Sequence, residues 1–110
     1  MFDAGICEIY EKRTGKSPTG KSVVTLRLYA PFYYDDINFT VTEYYAARQA
    51  ETDIARRVRI RQDKSISPVK HVLAIDGKQY NIGRFFHGVE RGEQITDLTL
   101  EEVLDAYAYA

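Results

Sequence analysis

Val69-Lys70-His71-Val72-Leu73-Ala74-Ile75-Asp76-Gly77-Lys78-Gln79-Tyr80-Asn81-Ile82-Gly83-Arg84-Phe85-Phe86 reads as two strands joined by a two-residue turn. The dipeptide Asp76-Gly77 tolerates the positive φ values of a type I′ turn, whose twist matches that of the strands it joins. Upstream, Val58 and Ile60 alternate with Arg57, Arg59 and Arg61, so a third strand carries an entirely basic outer face. Ser22 to Ala30 alternates in the same way, with Val24, Leu26 and Leu28 on one side, until Pro31 removes a backbone donor. Ile6 to Glu11 is its hairpin partner, and the polar stretch Lys12 to Lys21 is the expected connection.

The remaining segments are shorter or less regular. Tyr33-Tyr34-Asp35-Asp36 is expected to turn, after which Ile37, Phe39 and Val41 face inward. Glu43 to Ala55, rich in Ala, Arg, Gln and Glu, breaks the two-residue period and reads as a short helix or a long central loop. A turn is expected around Ser65 to Pro68, a loop around Gly88 and Gly92, and a last strand or strand-to-helix segment over Ile95 to Val103. Six or seven short strands imply a mostly β protein, a small antiparallel β-barrel or sandwich. With 110 residues, one domain spanning 1–110 is expected.

Composition narrows the function classes. No run approaches the length of a membrane span, so no membrane partner is expected, and Asp3 stands where a signal peptide would carry positive charge. A chain beginning near Met1 in a cytosol is the expectation, with the lone Cys7 a reduced core residue. The net charge is −1 but uneven. From Arg56 to Arg91 nine basic residues face three acids, and from Gly92 to Ala110 there are five acids and no base. Such a chain can pair its basic middle with its acidic end, within one molecule or between copies.

Gly15-Lys16-Ser17-Pro18-Thr19-Gly20-Lys21-Ser22 satisfies the letters of a phosphate-binding loop. That loop needs a helix N-terminus after it, and here a β-branched, alternating stretch follows, so a hairpin loop is the reading. Neither His71 nor His87 has a Cys or carboxylate at metal-ligand spacing, and the adjacent pairs Asp35-Asp36 and Glu101-Glu102 point to opposite faces if extended. No catalytic residue, metal or cofactor is therefore expected, and the chain reads as a non-enzyme. Arg57, Arg59 and Arg61, about 6 to 7 Å apart on a strand, form a stripe suited to phosphates, to a partner's carboxylates, or to a solvated edge. A small nucleic-acid-binding barrel of the OB or SH3 kind using that stripe is the alternative class.

Arg57-Val-Arg-Ile-Arg61, Ser65-Ile-Ser-Pro68 and Asp76-Gly-Lys-Gln-Tyr-Asn-Ile82, in that order and followed by Leu98 and Leu100, resemble the head-closure (head-tail joining) proteins of tailed bacteriophages. The resemblance covers about half the chain. It implies a virion structural protein, monomeric in isolation, that assembles as a ring, twelvefold in the family, at the portal vertex. Such a ring closes the DNA-filled head between a portal or adaptor protein and a tail-completion or tail-terminator protein, and contacts DNA in the channel. A neighbouring tail-terminator role is the close variant. Localisation would be the head-tail interface of the virion, with assembly in the host cytoplasm. Glu43 to Ala55 matches the family's central loop, so Glu43, Tyr44, Tyr45 and Arg48 are expected at ring contacts. Arg57, Arg59 and Arg61 on one surface and Glu93, Asp97 and Glu101 on another supply the charged halves of the interface, and Asp76 and Gly77 are the structural turn.

Overall fold

A computed structural model describes residues 2–37 and 54–109, and all regular structure among them is β. The strands are β1 (Gly5–Lys16), β2 (Ser22–Asp36), β3 (Ile54–Arg61), β4 (His71–Ile75), β5 (Lys78–Glu90), β6 (Glu93–Glu102) and β7 (Ala108–Tyr109). At the β4–β5 turn Asp76 and Gly77 both take positive φ, 51° and 80°, as the type I′ reading requires. Gly77→Val should therefore cost on the order of 1 kcal/mol or more, read as a lower denaturation midpoint, because a β-branched residue resists that region.

Hydrogen bonding closes the sheet on itself. The neighbours run β1-β4-β5-β6-β3-β2, and β2 pairs back to β1, all antiparallel. β7 adds to β2 in parallel. Six strands thus form a continuous hydrogen-bonded ring around one apolar core. Cys7 and Ile9, Tyr34, Val58 and Ile60, Leu73 and Ile75, Tyr80 and Ile82, and Leu98 and Leu100 meet there, joined by Ile66 from the β3–β4 connection. Each large aliphatic side chain buried in this way contributes roughly 1.5–3 kcal/mol.

Several boundaries differ from those the sequence suggests, each for a visible reason. Lys12 to Lys16 belong to β1, since they pair with Ser22 to Leu26 and leave only residues 17–21 for the turn. Pro31 lies inside β2, opposite Glu8. On its other side β2 meets described strands only at Thr25–Leu26 and Tyr34–Asp36, an open stretch of edge where a missing N–H breaks no ladder. Tyr33 to Asp36 is strand, because Tyr34 pairs with Ile60 and enters the core. Gly88 continues β5, and the turn contracts to Arg91-Gly92, with φ of 51° and 80°. Glu93–Glu102 is strand to its end, with no helix.

Ile54 and Ala55 open β3, so the helix-or-loop expectation fails for those two positions. The rest of 43–55, and Phe39 and Val41, lie outside the described residues. Ile37 follows the end of β2 and donates its N–H to the Arg57 carbonyl at 2.9 Å.

β1 and β2 outrun their neighbours. β4 reaches only as far as Glu11 along β1, so the rest of the β1–β2 hairpin projects as an arm. A fifteen-residue strand spans roughly 45–50 Å, comparable to the 51 Å long axis of the molecule. Of the alternating trio Val24, Leu26 and Leu28, only Leu26 is fully buried, and it lies at the point where β7 joins.

Candidate functional site

The outer face of β3 sits between β2 and β6. The register sets Arg57 opposite Thr99, Arg59 opposite Asp97 and Arg61 opposite Ile95, with Asp35 opposite Arg59 on the other side. Arg59 makes a two-pronged contact with Asp97, Nε to Oδ1 at 2.8 Å and Nη2 to Oδ2 at 3.1 Å. Arg57 Nη2 lies 3.7 Å from the same carboxylate, which is itself almost fully buried. The hydrogen bonds from Asp97 hold the Arg59 guanidinium even more firmly protonated than usual. Arg56 behaves alike: Nε and Nη2 contact Asp36 at 2.9 and 3.0 Å, and its charge is stabilised chiefly by that carboxylate. Arg61, exposed, makes no ion pair among the described residues.

The charged halves expected on separate surfaces are therefore partly joined within one chain. Arg59 and Asp97 meet; Glu93 and Arg61 line a shared shallow cleft with Gln62 and Gln94. Glu101 lies apart, its carboxylate packed over Gly83, where a Cβ would come within 2.6 Å of Oε1. Glu43, Tyr44, Tyr45 and Arg48 lie outside the described residues. A second cleft, lined by Asp3, Asp35, Arg59, Glu90 and Arg91, mixes both signs of charge.

Asp35 has a structural task in that cleft. It accepts the backbone N–H groups of Phe2 and Asp3, both at 2.6 Å, and the Phe2 hydrogen bond is the main cause of a carboxyl pKa below its ordinary value. A depressed folded pKa contributes stability that is present above the unfolded value, near 3.9, and is lost as pH falls through the folded one. Amide exchange at Phe2 and Asp3 should accordingly stay slow at neutral pH and accelerate below about pH 4 beyond the intrinsic rate. Asp35→Asn should abolish that acid-dependent change.

Other groups singled out by the sequence take structural positions. His71 is buried, its Nδ1 accepting the Ser67 N–H at 2.9 Å and its ring 4.9 Å from that of Tyr29. His87 Nδ1 pairs with Thr96 Oγ1 at 2.8 Å. Burial pushes the Cys7 thiol up to about 12, which keeps it protonated and unreactive. Gly15 to Ser22 is a hairpin tip: Ser17 N–H bonds Lys21 O and Gly20 N–H bonds Ser17 O, both at 2.8 Å, and β2 follows directly. No group of three or more potential metal ligands converges among the described residues.

No family model and no curated protein matches the chain. Its own surface is the informative feature. β4 pairs with β5 only through Asn81, so among the described residues the rest of β5, from Ile82 to Glu90, has one open edge. Along it Phe85, Phe86 and Val89 are 47%, 60% and 67% exposed. An open strand edge with large exposed apolar side chains is the form of a protein contact surface. Sequence reading did not find it, because the loop assigned around Gly88 hid the continuity of the strand.

Proposed function

We propose that this chain is a structural subunit that assembles with copies of itself into a ring at the portal vertex of a tailed phage, closing the filled head and receiving the tail. The observation that carries the reading is the open β5 edge with Phe85, Phe86 and Val89, a surface suited to a neighbouring protein. The family-like segments also support it, since they supply the basic strand, the β4–β5 turn and the inward leucines of one closed sheet. A portal or adaptor above, a tail-completion or terminator protein below, and DNA in the channel are the proposed partners, and the virion is the proposed location. Ring contacts in this reading need two different surfaces, since self-complementary ones stop at a dimer.

The test is joining of filled heads to tails in vitro. Phe86→Ser with Val89→Ser should leave the melting temperature within a few degrees of the parent, because both side chains are exposed, and should abolish joining. Full joining by that folded variant would remove the β5 edge from the interface, and heads that join tails equally well without the protein would sink the assignment. A second reading, nucleic-acid binding, is favoured by the arm, where Lys12, Arg13, Lys16, Lys21 and Arg27 outnumber Glu11. Strongly salt-dependent binding of duplex DNA by the isolated chain would support it.

A further inference from the structure

Residues 107–109 are held against the rest of the chain by Gln79, β1 and β2. The buried Gln79 side chain acts as a stand-in for a neighbouring strand: its Nε2 donates to the Tyr107 carbonyl at 2.9 Å, and its Oε1 accepts the Tyr107 N–H at 2.8 Å. The next two residues, Ala108 and Tyr109, pair in parallel with Thr25 and Leu26 of β2. The Tyr109 ring packs on Tyr10 at 4.9 Å, and Lys12 Nζ stands 5.4 Å from the centre of the Tyr107 ring. Backbone recognition with alternate side chains held on separate partners is the logic by which sheets capture extended peptides.

The hold is specific but short, and the link to it runs exposed to solvent at Leu104. Only two residues bridge to β2, and Val103 to Tyr107 carries no regular structure. Within that link Leu104 is 96% exposed, an apolar side chain that the closed monomer leaves without cover. Every copy carries both the segment and the groove, so seating the segment in a neighbour makes the same hydrogen bonds and ring contacts. Exchange therefore costs little beyond the lost effective concentration of the internal link, which for short flexible links is in the millimolar range. A crowded ring supplies comparable local concentrations.

We propose that the groove formed by Gln79, Tyr10, Lys12 and the β2 edge at Thr25–Leu26 takes residues 103–109 of a second copy. The segment of one subunit then fills the groove of the next, a head-to-tail contact able to close a ring, with Leu104 at the junction. This names a contact within the ring proposed above, but it stands on the groove and can fail or hold independently.

The experiment uses chains that each carry one added cysteine, the native Cys7 being buried. Thr25→Cys and Ala108→Cys place thiols on bridge partners, whose Cα separation suits a disulfide. Mixed and oxidised, the two chains should give a covalent heterodimer whose share rises with concentration, and adding Gln79→Ala to the Thr25→Cys chain should lower it several-fold. A yield no greater than that of Lys64→Cys mixed with Ala108→Cys, or one unaffected by Gln79→Ala, would show only random collision and overturn the proposal. Far-ultraviolet circular dichroism checks that each variant is folded. Heterodimer formation by chains that cannot join heads to tails would leave the groove standing and count against the phage reading; joining without exchange would do the reverse.

Discussion

Tyr34→Ala is expected to lower unfolding free energy by about 3–5 kcal/mol, the range for removing a large aromatic from a core. Tyr34 is almost fully buried, pairs with Ile60, and belongs to the same cluster as Cys7, Ile9 and Val58. Its ring is also the surface on which Gly5 rests, with the position of a Gly5 Cβ 3.4 Å from Cε1. Its hydroxyl accepts from Arg56 Nη2 at 3.3 Å. Truncation would open a cavity where β1, β2 and β3 meet and remove the ring over which the Arg56 guanidinium sits at 5.4 Å. The neighbouring Tyr33→Ala is the control: at 66% exposure it should shift stability by about 0.5 kcal/mol or less. Chemical denaturation of the two variants separates the outcomes, and a reversed order, with Tyr33→Ala the more damaging, would mean that β2 is out of register by one residue, since a one-residue slip exchanges the two faces.

That pair of tyrosines shows what the sequence could reveal. Where a local pattern alone dictates conformation, the reading holds: Asp76-Gly77 forms its turn, and Val58 and Ile60 face inward while the arginines face out. Tyr33-Tyr34-Asp35-Asp36 has the polar, acidic look of a turn, yet it is strand because Ile60 and Arg59 stand opposite. The Arg91-Gly92 turn was hidden because arginine carries no preference for positive φ, and only the partner strands impose it. Gln79 gives no signal at all in a strand; its role exists only once residues 103–109 return beside it. Charge sums were the least informative, since a window that counts Arg59 among the bases and Asp97 among the acids cannot see that 38 residues of chain fold to place them 2.8 Å apart.

Asp97→Ala should consequently be among the most damaging single changes to the surface-facing side of the sheet. The carboxylate is the shared partner of Arg59 and Arg57, and, among the described residues, those contacts offset the solvation that its burial removes. Removing it takes from Arg59 its two-pronged partner and from Arg57 a nearby carboxylate, on two guanidinium groups that are neighbours on one face of β3. Breaking a buried pair from one side costs roughly 3–5 kcal/mol, and the partial exposure of Arg59 places this case toward the lower figure. Arg59→Glu should be at least as harmful, because it sets a second carboxylate against Asp97, whereas Arg61→Glu, on an exposed arginine without an ion pair among the described residues, should leave the melting temperature nearly unchanged. Arg61→Glu is thus the charge reversal able to probe a ring contact without unfolding the subunit. Thermal melts of the three variants check the order, and a double-mutant cycle between Arg59 and Asp97 measures the coupling directly. An Asp97→Ala protein as stable as its parent would mean that the arginines find solvent or another partner, and that this face of β3 and β6 is open rather than closed by its own charges.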